Sequence, residues 1–334
     1  DSYWLVLFIA FLVQDFSGYW VHRLNHRVNI LWNRHFIHHS SEDFNLSCAL
    51  RQSISNTIKF SAIFMIPGAL LGVPASIFAV LGPIHLFMQL WYHTQLIGNL
   101  GLLEYVFVTP SHHRVHHAIN DEYIDKNYGQ ILIVWDKIFG TFQAELKSVP
   151  PIYGTLKQAN TWNPILINYK YFLHLLRDAW RTENLIDKIK IWFMPTGWRP
   201  EDVKIAYPSM KIKDPNKQEK YETKNPLSLI VYCWMQLLVA LVFMFHLFTV
   251  LHYTDPVFNY LYAVFIFISI FSYTSLLDQS RLTLVAESIK LFLGISIIYF
   301  QDYSWYNVDI IYTYLVGIII TGSFFSTIYF QVSH

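Results

Sequence analysis

The sequence predicts an all-α integral membrane protein, a multi-span helical bundle in which histidine-rich segments gather on one face. Hydrophobic residues make up 54% of the 334 residues and charged residues only 14%, whereas soluble domains contain roughly 25% charged residues. Apolar runs of the length needed to cross a bilayer recur along the chain. Five of the fifteen histidines fall within residues 22–39. The net charge of +1 gives no basis for binding nucleic acid.

The first apolar run predicts a membrane helix with histidines at its end. Residues 3–14 are apolar, and we expect the helix to leave the membrane near Tyr19. His22 and His26 then lie on its emerging end. Because the chain starts at Asp1 inside this run, we expect no signal peptide and a trimmed amino terminus.

The next two apolar stretches are predicted to enter the membrane and return to the same side. They cover residues 58–72 and 75–93. Their length fits either two short spans or a re-entrant hairpin. In both cases residues 22–51 and 93–117 meet on one face of the bilayer.

Residues 101–226 are polar, since they hold 17 of the 24 Lys and Arg residues and 14 of the 23 Asp and Glu residues. This composition predicts an aqueous domain or a set of interfacial segments. Within it, residues 165–193 mix apolar, aromatic and basic side chains at helical spacing. They predict an amphipathic helix that either lies on the membrane or packs on the domain.

The carboxy-terminal part predicts four membrane spans. The apolar segments are 227–252, 257–277, 282–300 and 308–330. The connections at 253–256 and 301–307 lack Lys and Arg, so the positive-inside rule puts the basic 101–226 region and the histidines in the cytoplasm. The predicted domains are a membrane-embedded domain at 1–145, a polar, partly interfacial helical segment at 146–226 and a four-span region at 227–334.

The histidines form groups with the spacing of metal ligands. His22 and His26 are four residues apart and share one face of a helix. The pattern HxxHH then occurs twice, as His35, His38 and His39 and as His113, His116 and His117. His93 lies where the returning apolar segment emerges and is a ninth candidate ligand.

Nine candidate ligands indicate two metal ions, because a structural zinc ion is closed by four ligands and a catalytic one by three. Nitrogen ligands suit zinc, copper, iron and nickel, and the spacing does not choose among them. The sequence therefore predicts a histidine-box di-metal domain on the cytosolic face. We expect no catalytic acid or base separate from the metal site.

The other histidines are weaker candidates. His85 lies two turns before His93, but deeper in the apolar run. His112 adjoins the third group and is a candidate hydrogen-bond partner behind the ligands. The remaining four are expected to be packed or surface residues; they are His174, His246, His252 and His334.

Polar residues near the histidines are candidates for orienting them, because metal-bound imidazoles usually donate their second N–H to a carboxylate or a carbonyl. The candidates are Glu42, Asp43, Asp121, Glu122, Asp125, Asn127 and Asp136. Turn formation and helix capping are the alternative roles for these residues. Arg51 is a candidate for binding a lipid headgroup, and a solvated surface cation is the alternative.

The histidine-rich segments and the stretch that follows the third group resemble the fatty acid hydroxylase/sterol desaturase superfamily of integral-membrane di-iron enzymes. The matching segments are HRLNH (22–26), HFIHH (35–39), TPSHHRVHH (109–117) and NYGQILIVWDKIFGTF (127–142). The ether-lipid-cleaving branch is matched by HHSSEDFNLSCALRQS (38–53), IDKNYGQILIVWDKIFGTFQAE (124–145) and GWRPEDV (197–203).

The resemblance implies two iron ions held by the nine histidines, O2 as the oxidant and a lipid that enters from the bilayer. For the ether-lipid branch it also implies tetrahydrobiopterin as the reductant. The expected reaction hydroxylates the carbon next to the ether bond of an alkylglycerol lipid and yields a fatty aldehyde and a glycerol derivative. Arg27 departs from the family, whose members often have an acidic residue there.

Two alternatives stay open. An enzyme of the same superfamily would hydroxylate or desaturate a fatty acid, sterol, carotenoid or other lipid, with an electron-donor protein in place of the pterin. A non-enzymatic metal transporter is more remote, because transporter ligands usually lie near the bilayer midplane. The expected membrane is the endoplasmic reticulum in a eukaryote or the inner membrane in a bacterium.

Overall fold

The computed structural model describes residues 3–57 and 62–333, and these residues are predominantly helical. Within the described ranges, extended pairing is limited to three isolated bridges, and five helices are long and apolar enough to cross a membrane. The predicted all-α, multi-span fold class is thereby confirmed. The cytosolic orientation stays a prediction.

The α-helices follow one another along the whole chain. They are α1 Tyr3–Arg27, α2 Asn29–His39, α3 Leu46–Ala49, α4 Ala62–Leu70, α5 Ala75–Met88, α6 Pro110–His117, α7 Val134–Ile138, α8 Pro164–Arg181, α9 Leu185–Phe193, α10 Glu201–Ala206, α11 Leu227–Val250, α12 Pro256–Leu277, α13 Leu282–Phe300 and α14 Ile310–Ser333. Short 3₁₀ helices cover Ile54–Thr57, Gly101–Tyr105 and Pro215–Lys217.

The chain divides into two compact units. The first comprises Asp1–Ala159 and Asn168–Lys220, and the second comprises Asn160–Ile167 and Tyr221–His334. The histidines of the three sequence groups all belong to the first unit. The domain boundaries drawn from the sequence stay a prediction.

Helix α1 organises the first unit. It runs beyond the predicted membrane exit to Arg27, so His22 and His26 occupy its last two turns. Asp15, fully buried on this helix, accepts hydrogen bonds from Ile131 N at 3.0 Å, Leu132 N at 3.1 Å and Trp135 Nε1 at 2.9 Å. These contacts fasten the segment that follows α6 to the membrane helix.

Helices α4 and α5 pack against α1 through a small apolar core of Ala10, Val73 and Leu81. Helix α5 has 14 residues and is therefore about 21 Å long at roughly 1.5 Å per residue. The hydrocarbon core of a bilayer is about 30 Å thick. Of the two sequence alternatives, this length favours the re-entrant hairpin; residues 58–61 of the predicted stretch lie outside the described residues.

Helix α8 packs on α2 and so supports the helix that carries the second histidine group. Tyr171 Oη donates to Asn29 Oδ1 at 2.7 Å, and Phe172 N donates to Asn33 Oδ1 at 2.9 Å. The amphipathic segment predicted at 165–193 forms two helices, α8 and α9, and α8 packs on the domain; an additional contact with the membrane surface stays a prediction.

The second unit contains α11 to α14, which coincide with the four predicted spans. A polar cluster lies at its centre. Glu287 Oε1 accepts from Ser272 Oγ at 2.8 Å and from Lys290 Nζ at 2.6 Å, and Lys290 Nζ also donates to Ser323 Oγ at 2.6 Å. These contacts join α12, α13 and α14 inside an otherwise apolar bundle.

Candidate metal centre

Three helices and one loop bring the histidines together. His22 and His26 lie on the last turns of α1, and the next group lies on α2, which starts two residues after α1 ends. Pro110 occupies the first position of α6, where its missing N–H costs nothing, and this short helix carries the third group. His93 lies in the loop after α5.

The nine predicted side chains converge into two adjacent groups. One contains His22, His26, His35, His39 and His116, and the other contains His38, His93, His113 and His117. In each group the ligand atoms lie within 4.8 Å of one another. The geometry therefore provides two metal-sized sites, with five and four nitrogens; that these residues are ligands stays a prediction.

Backbone carbonyls orient four of the imidazoles. Their Nδ1–H groups donate from His22 to Tyr128 O at 2.8 Å, from His38 to Cys48 O at 3.0 Å, from His93 to Gln89 O at 2.9 Å and from His116 to Lys126 O at 2.9 Å. A neutral imidazole carries one N–H, so each Nε2 presents a lone pair. This is the orientation that metal ligands usually take.

The contact between His38 and His93 shows why a cation fits here. Their Nε2 atoms are 3.3 Å apart, yet both imidazoles already place their proton on Nδ1. Burial lowers the pKa of His38 to about 3 and that of His93 to about 4. At neutral pH no proton bridges these two lone pairs, so the pair is suited to binding a metal ion.

Other nitrogens of the cluster point to the same conclusion. Within the described part of the chain, Nε2 of His26, His39 and His116 is buried and has no hydrogen-bond partner. Leaving buried polar atoms without partners is unfavourable. Burial also lowers the pKa of the other imidazoles outside α1, namely His35, His39, His113, His116 and His117. The cluster is thus held neutral, as metal binding requires.

Asp136 acts on the centre through the backbone. Its carboxylate accepts from Tyr128 N and Gly129 N, each at 2.7 Å, and from Thr141 Oγ1 at 2.7 Å. This holds the turn whose Tyr128 carbonyl receives the His22 proton. Asn127 stabilises the same turn region, because its Nδ2 donates to His112 O at 3.1 Å.

The other supporting candidates have side-chain contacts with groups outside the nine histidines. Asp125 pairs with Arg27 at 2.5 Å, Asp43 pairs with Lys220, and Glu42 accepts from Gln158 Nε2 at 3.0 Å. His112 Nε2 is 3.9 Å from Glu104 Oε2, and Arg51 Nη1 is 3.5 Å from Ser40 Oγ. Asp121 and Glu122 are exposed. Their proposed roles stay predictions.

The remaining histidines lie outside the two groups. His85 Nδ1 donates to Leu81 O at 3.2 Å, and His85 Nε2 is 3.5 Å from Asp15 Oδ1. His246 Nδ1 contacts Tyr262 Oη at 3.0 Å, and His252 is exposed. His334 lies outside the described residues.

Among the described residues, two separate cavities contact the histidines. The larger, of about 660 Å³, is lined by His22, His35, His38, His93 and His113, by apolar side chains such as Leu86 and Phe87, and by polar ones that include Asn25, Arg34 and Gln130. The smaller, of about 190 Å³, is lined by His26, His39, His116 and His117. Between them they contact all nine imidazoles, and their described linings share no residue.

Sequence reasoning missed the polar end of the smaller cavity. Lys157, His174 and Arg199 line it, although they are far apart in the sequence and belong to no motif. His174 was expected only to be packed or at the surface. The one available signal was the basic character of the 101–226 region.

Comparison with known proteins places the chain in a family. Residues 7–141, which include all nine histidines, match the family described as fatty acid hydroxylase. The chain is 39% identical to alkylglycerol monooxygenase of Homo sapiens over 290 residues, which are 87% of the chain and 64% of that protein. It is 35% identical to alkylglycerol monooxygenase of Xenopus tropicalis over 95% of the chain and 69% of that protein.

A bacterial relative is named for a different lipid substrate. The ornithine lipid hydroxylase OlsE of Rhizobium tropici is 33% identical over 134 residues, which are 40% of the chain and 40% of that protein. No solved structure is significantly similar to the chain. The chain spans only 64% of the human relative's length, but the Xenopus match covers more than two thirds of a relative. The chain therefore belongs to the fatty acid hydroxylase family, together with the alkylglycerol monooxygenases.

Proposed function

We propose that this protein is a membrane-bound di-iron monooxygenase. It uses O2 to hydroxylate the carbon next to the ether bond of alkylglycerol lipids. One observation carries the proposal: nine imidazoles, seven of them buried and two half-buried, converge in two groups beside a cavity in a membrane protein. The substrate class is that of the alkylglycerol monooxygenases that match most of the chain.

Iron is the metal we propose for both groups. Nitrogen ligands accept several transition metals, but zinc has no redox chemistry and does not activate O2. When bound, iron supplies the redox chemistry that converts O2 into an oxidant for a C–H bond. The protein holds its imidazoles neutral and oriented and keeps the centre buried.

The larger cavity suits the alkyl chain of the lipid. Its volume of about 660 Å³ lies within the roughly 300–1,000 Å³ of most ligand sites. Leu86, Phe87 and Leu90 from the α5 region provide apolar walls, while Asn25 and Gln130 provide polar groups near the histidines. Burying the chain along these walls would fix the ether carbon beside the centre.

The reaction balances with one two-electron donor. The lipid C–H, O2 and a donor RH2 give the lipid C–OH, water and the oxidised donor R. The product is a hemiacetal, and breaking its C–O bond gives the aldehyde and the free glycerol hydroxyl without further oxidation. We propose tetrahydrobiopterin as RH2; an electron-donor protein is the alternative.

The orientation and location are part of the proposal. The histidine groups face the cytoplasm, because the basic residues are concentrated in the same region. The membrane is the endoplasmic reticulum in a eukaryote or the inner membrane in a bacterium.

Purified protein in lipid nanodiscs provides the test. We expect about two irons per chain, as for other two-metal sites, and release of fatty aldehyde from alkylglycerol with O2 and tetrahydrobiopterin. His117→Ala should abolish aldehyde formation, whereas His252→Ala, an exposed histidine of the second unit, should not. Full activity of the His117 variant would contradict the proposal. Turnover of a sterol or an acyl lipid in place of alkylglycerol would reject the ether-lipid substrate but keep the enzyme class.

A further inference from the structure

We propose that the smaller cavity is a separate binding site for the electron donor. It would take one small, flat, reduced heterocycle with hydrogen-bond acceptors along one edge. This inference rests on the proposed function, because an O2-dependent hydroxylation requires two electrons from outside the lipid.

The size of the cavity restricts its occupant. Its volume is about 190 Å³, and a cavity of about 150 Å³ binds a single benzene ring. One flat ring system therefore fits, whereas a long alkyl chain requires the larger cavity. An electron-donor protein is too large for this cavity and would have to transfer electrons from the protein surface.

Aromatic side chains form the walls. The lining includes Trp32, Phe36, Tyr171 and Trp198. The rings of Phe36 and Tyr171 have centroids 5.9 Å apart at 30°, and those of Trp32 and Phe36 are 6.1 Å apart at 80°. Aromatic faces and edges arranged in this way favour contact with another flat ring.

A fixed polar cluster lies at one end of the cavity. Lys157 Nζ donates to His174 Nδ1 at 3.0 Å, and His174 Nε2 is 3.5 Å from Asp178 Oδ2. Arg199 Nε donates to Asp178 Oδ2 at 2.5 Å. The contact with His174 uses one of the three Lys157 donors. The cluster has an excess of N–H groups, so it suits the carbonyl and hydroxyl acceptors of a ligand.

The same cavity reaches both metal groups. His26, His39 and His116 of the five-nitrogen group line it, and so does His117 of the four-nitrogen group. A donor bound there contacts imidazoles of both sites without entering the lipid cavity. Electrons and the lipid therefore reach the centre through different cavities.

The proposed occupant completes the electron balance. Oxidation of RH2 to R releases two electrons and two protons. These combine with the oxygen atom of O2 that is not transferred to the lipid and give water. A reduced pterin is a donor of this chemical class, and we use tetrahydrobiopterin as the probe.

Binding and kinetics together test the site. Anaerobic calorimetry with metal-free protein measures tetrahydrobiopterin affinity without turnover. Lys157→Gln should weaken this affinity and raise the KM for tetrahydrobiopterin about tenfold, because a charged hydrogen bond is lost, with the KM for alkylglycerol unchanged. Phe87→Trp, in the larger cavity, should raise the KM for alkylglycerol instead. Lys204→Gln, an exposed lysine on α10, is the matched control.

Lys211→Gln provides a second variant at the cavity rim if Lys157→Gln does not fold, since Lys211 is exposed. A rise in the alkylglycerol KM of either lysine variant would overturn the proposal and assign the cavity to the lipid headgroup. No saturable binding to wild-type protein would also overturn it. Binding that Lys157 controls, without any aldehyde product, would reject the proposed function and keep the site. Aldehyde formation together with normal tetrahydrobiopterin binding by the lysine variants would reject the site and keep the proposed function.

Discussion

Both units of the molecule bury ionisable side chains, and they satisfy them differently. In the second unit, Glu287 and Lys290 have opposite charges and bond to each other and to neighbouring hydroxyls. In the first unit, the imidazoles of His38 and His93 present lone pairs to each other. The pair of opposite charges joins three helices, although Glu287 Oε2 has no hydrogen-bond partner among the described residues, whereas the facing lone pairs of the histidines suit a cation from outside.

The largest expected effect separates the two histidine groups. His113→Ala leaves three nitrogens in its group, so iron should fall from about two ions to about one per chain. Activity should fall more than about 100-fold, because even partners behind the ligands are worth about 10–100-fold. His35→Ala leaves four nitrogens in its group and should retain iron at reduced affinity. Metal analysis and turnover measure both; equal metal loss in the two variants would contradict the division into two sites.

Changes to the Glu287–Lys290 cluster of the second unit should lower stability and leave the iron content unchanged. Lys290→Met leaves Glu287 without its cation and should destabilise the protein by about 3–5 kcal/mol. The double variant Glu287→Leu with Lys290→Met removes both charges and should be closer to wild type. Thermal unfolding in detergent distinguishes them. Iron content should stay at the wild-type level, and its loss would show that this cluster does more than hold helices.

Asp136→Asn tests support of the metal centre through the backbone. An amide accepts fewer of the three hydrogen bonds that the carboxylate now receives. The Tyr128 carbonyl would then hold His22 less firmly, and iron affinity should fall about 10–100-fold. Chelator competition measures this affinity, with Asp121→Asn at the surface as control. An unchanged affinity would limit Asp136 to stabilising the turn.

The smallest effect is a pH dependence at the polar end of the smaller cavity. This cluster is intermediate between the histidine cluster and the Glu287–Lys290 cluster, because it contains hydrogen-bonded charges and also unused N–H donors. Burial lowers the pKa of Lys157 to about 8. Lys157 is charged below that pH and neutral above it, so the KM for tetrahydrobiopterin should rise as the pH passes 8. The charged groups around it are Arg199, Asp178, Arg177 and Lys170. Lys157→Gln should abolish the rise; a rise of equal size in that variant would assign it to another group.

The sequence predicted the histidines because their spacing is local. An i, i+3, i+4 pattern puts side chains on one helix face whatever the tertiary structure. It did not predict that carbonyls such as Tyr128 O and Cys48 O would orient the imidazoles, because every residue has a carbonyl. Asp136 was a candidate for orienting an imidazole directly. In the structure its carboxylate accepts from Tyr128 N, and the Tyr128 carbonyl accepts from His22.

The parts of the fold that the sequence left open depend on long-range contacts. An apolar run does not distinguish a span from a re-entrant hairpin. The length of α5, 14 residues, favours the hairpin, and this length is known only from the structure. Lys157 and Arg199 lie outside α8 and come close to His174 and Asp178 of that helix only in the folded chain, so no local pattern marks them. The four spans of the second unit were predictable, since length and composition suffice for them.

Asp15 also constrains the order in which the protein is made. A carboxylate on a membrane helix costs up to about 2.5–3.5 kcal/mol during insertion, the value at the bilayer centre. Its three donors come from a segment that begins 116 residues later in the chain. Helix α1 is therefore synthesised before the hydrogen-bond donors of Asp15. The carboxylate gains these hydrogen bonds only when residues 131–135 emerge from the ribosome and dock. We therefore expect the first helix to reach its full stability in the membrane only after the segment that follows the third histidine group has docked on it.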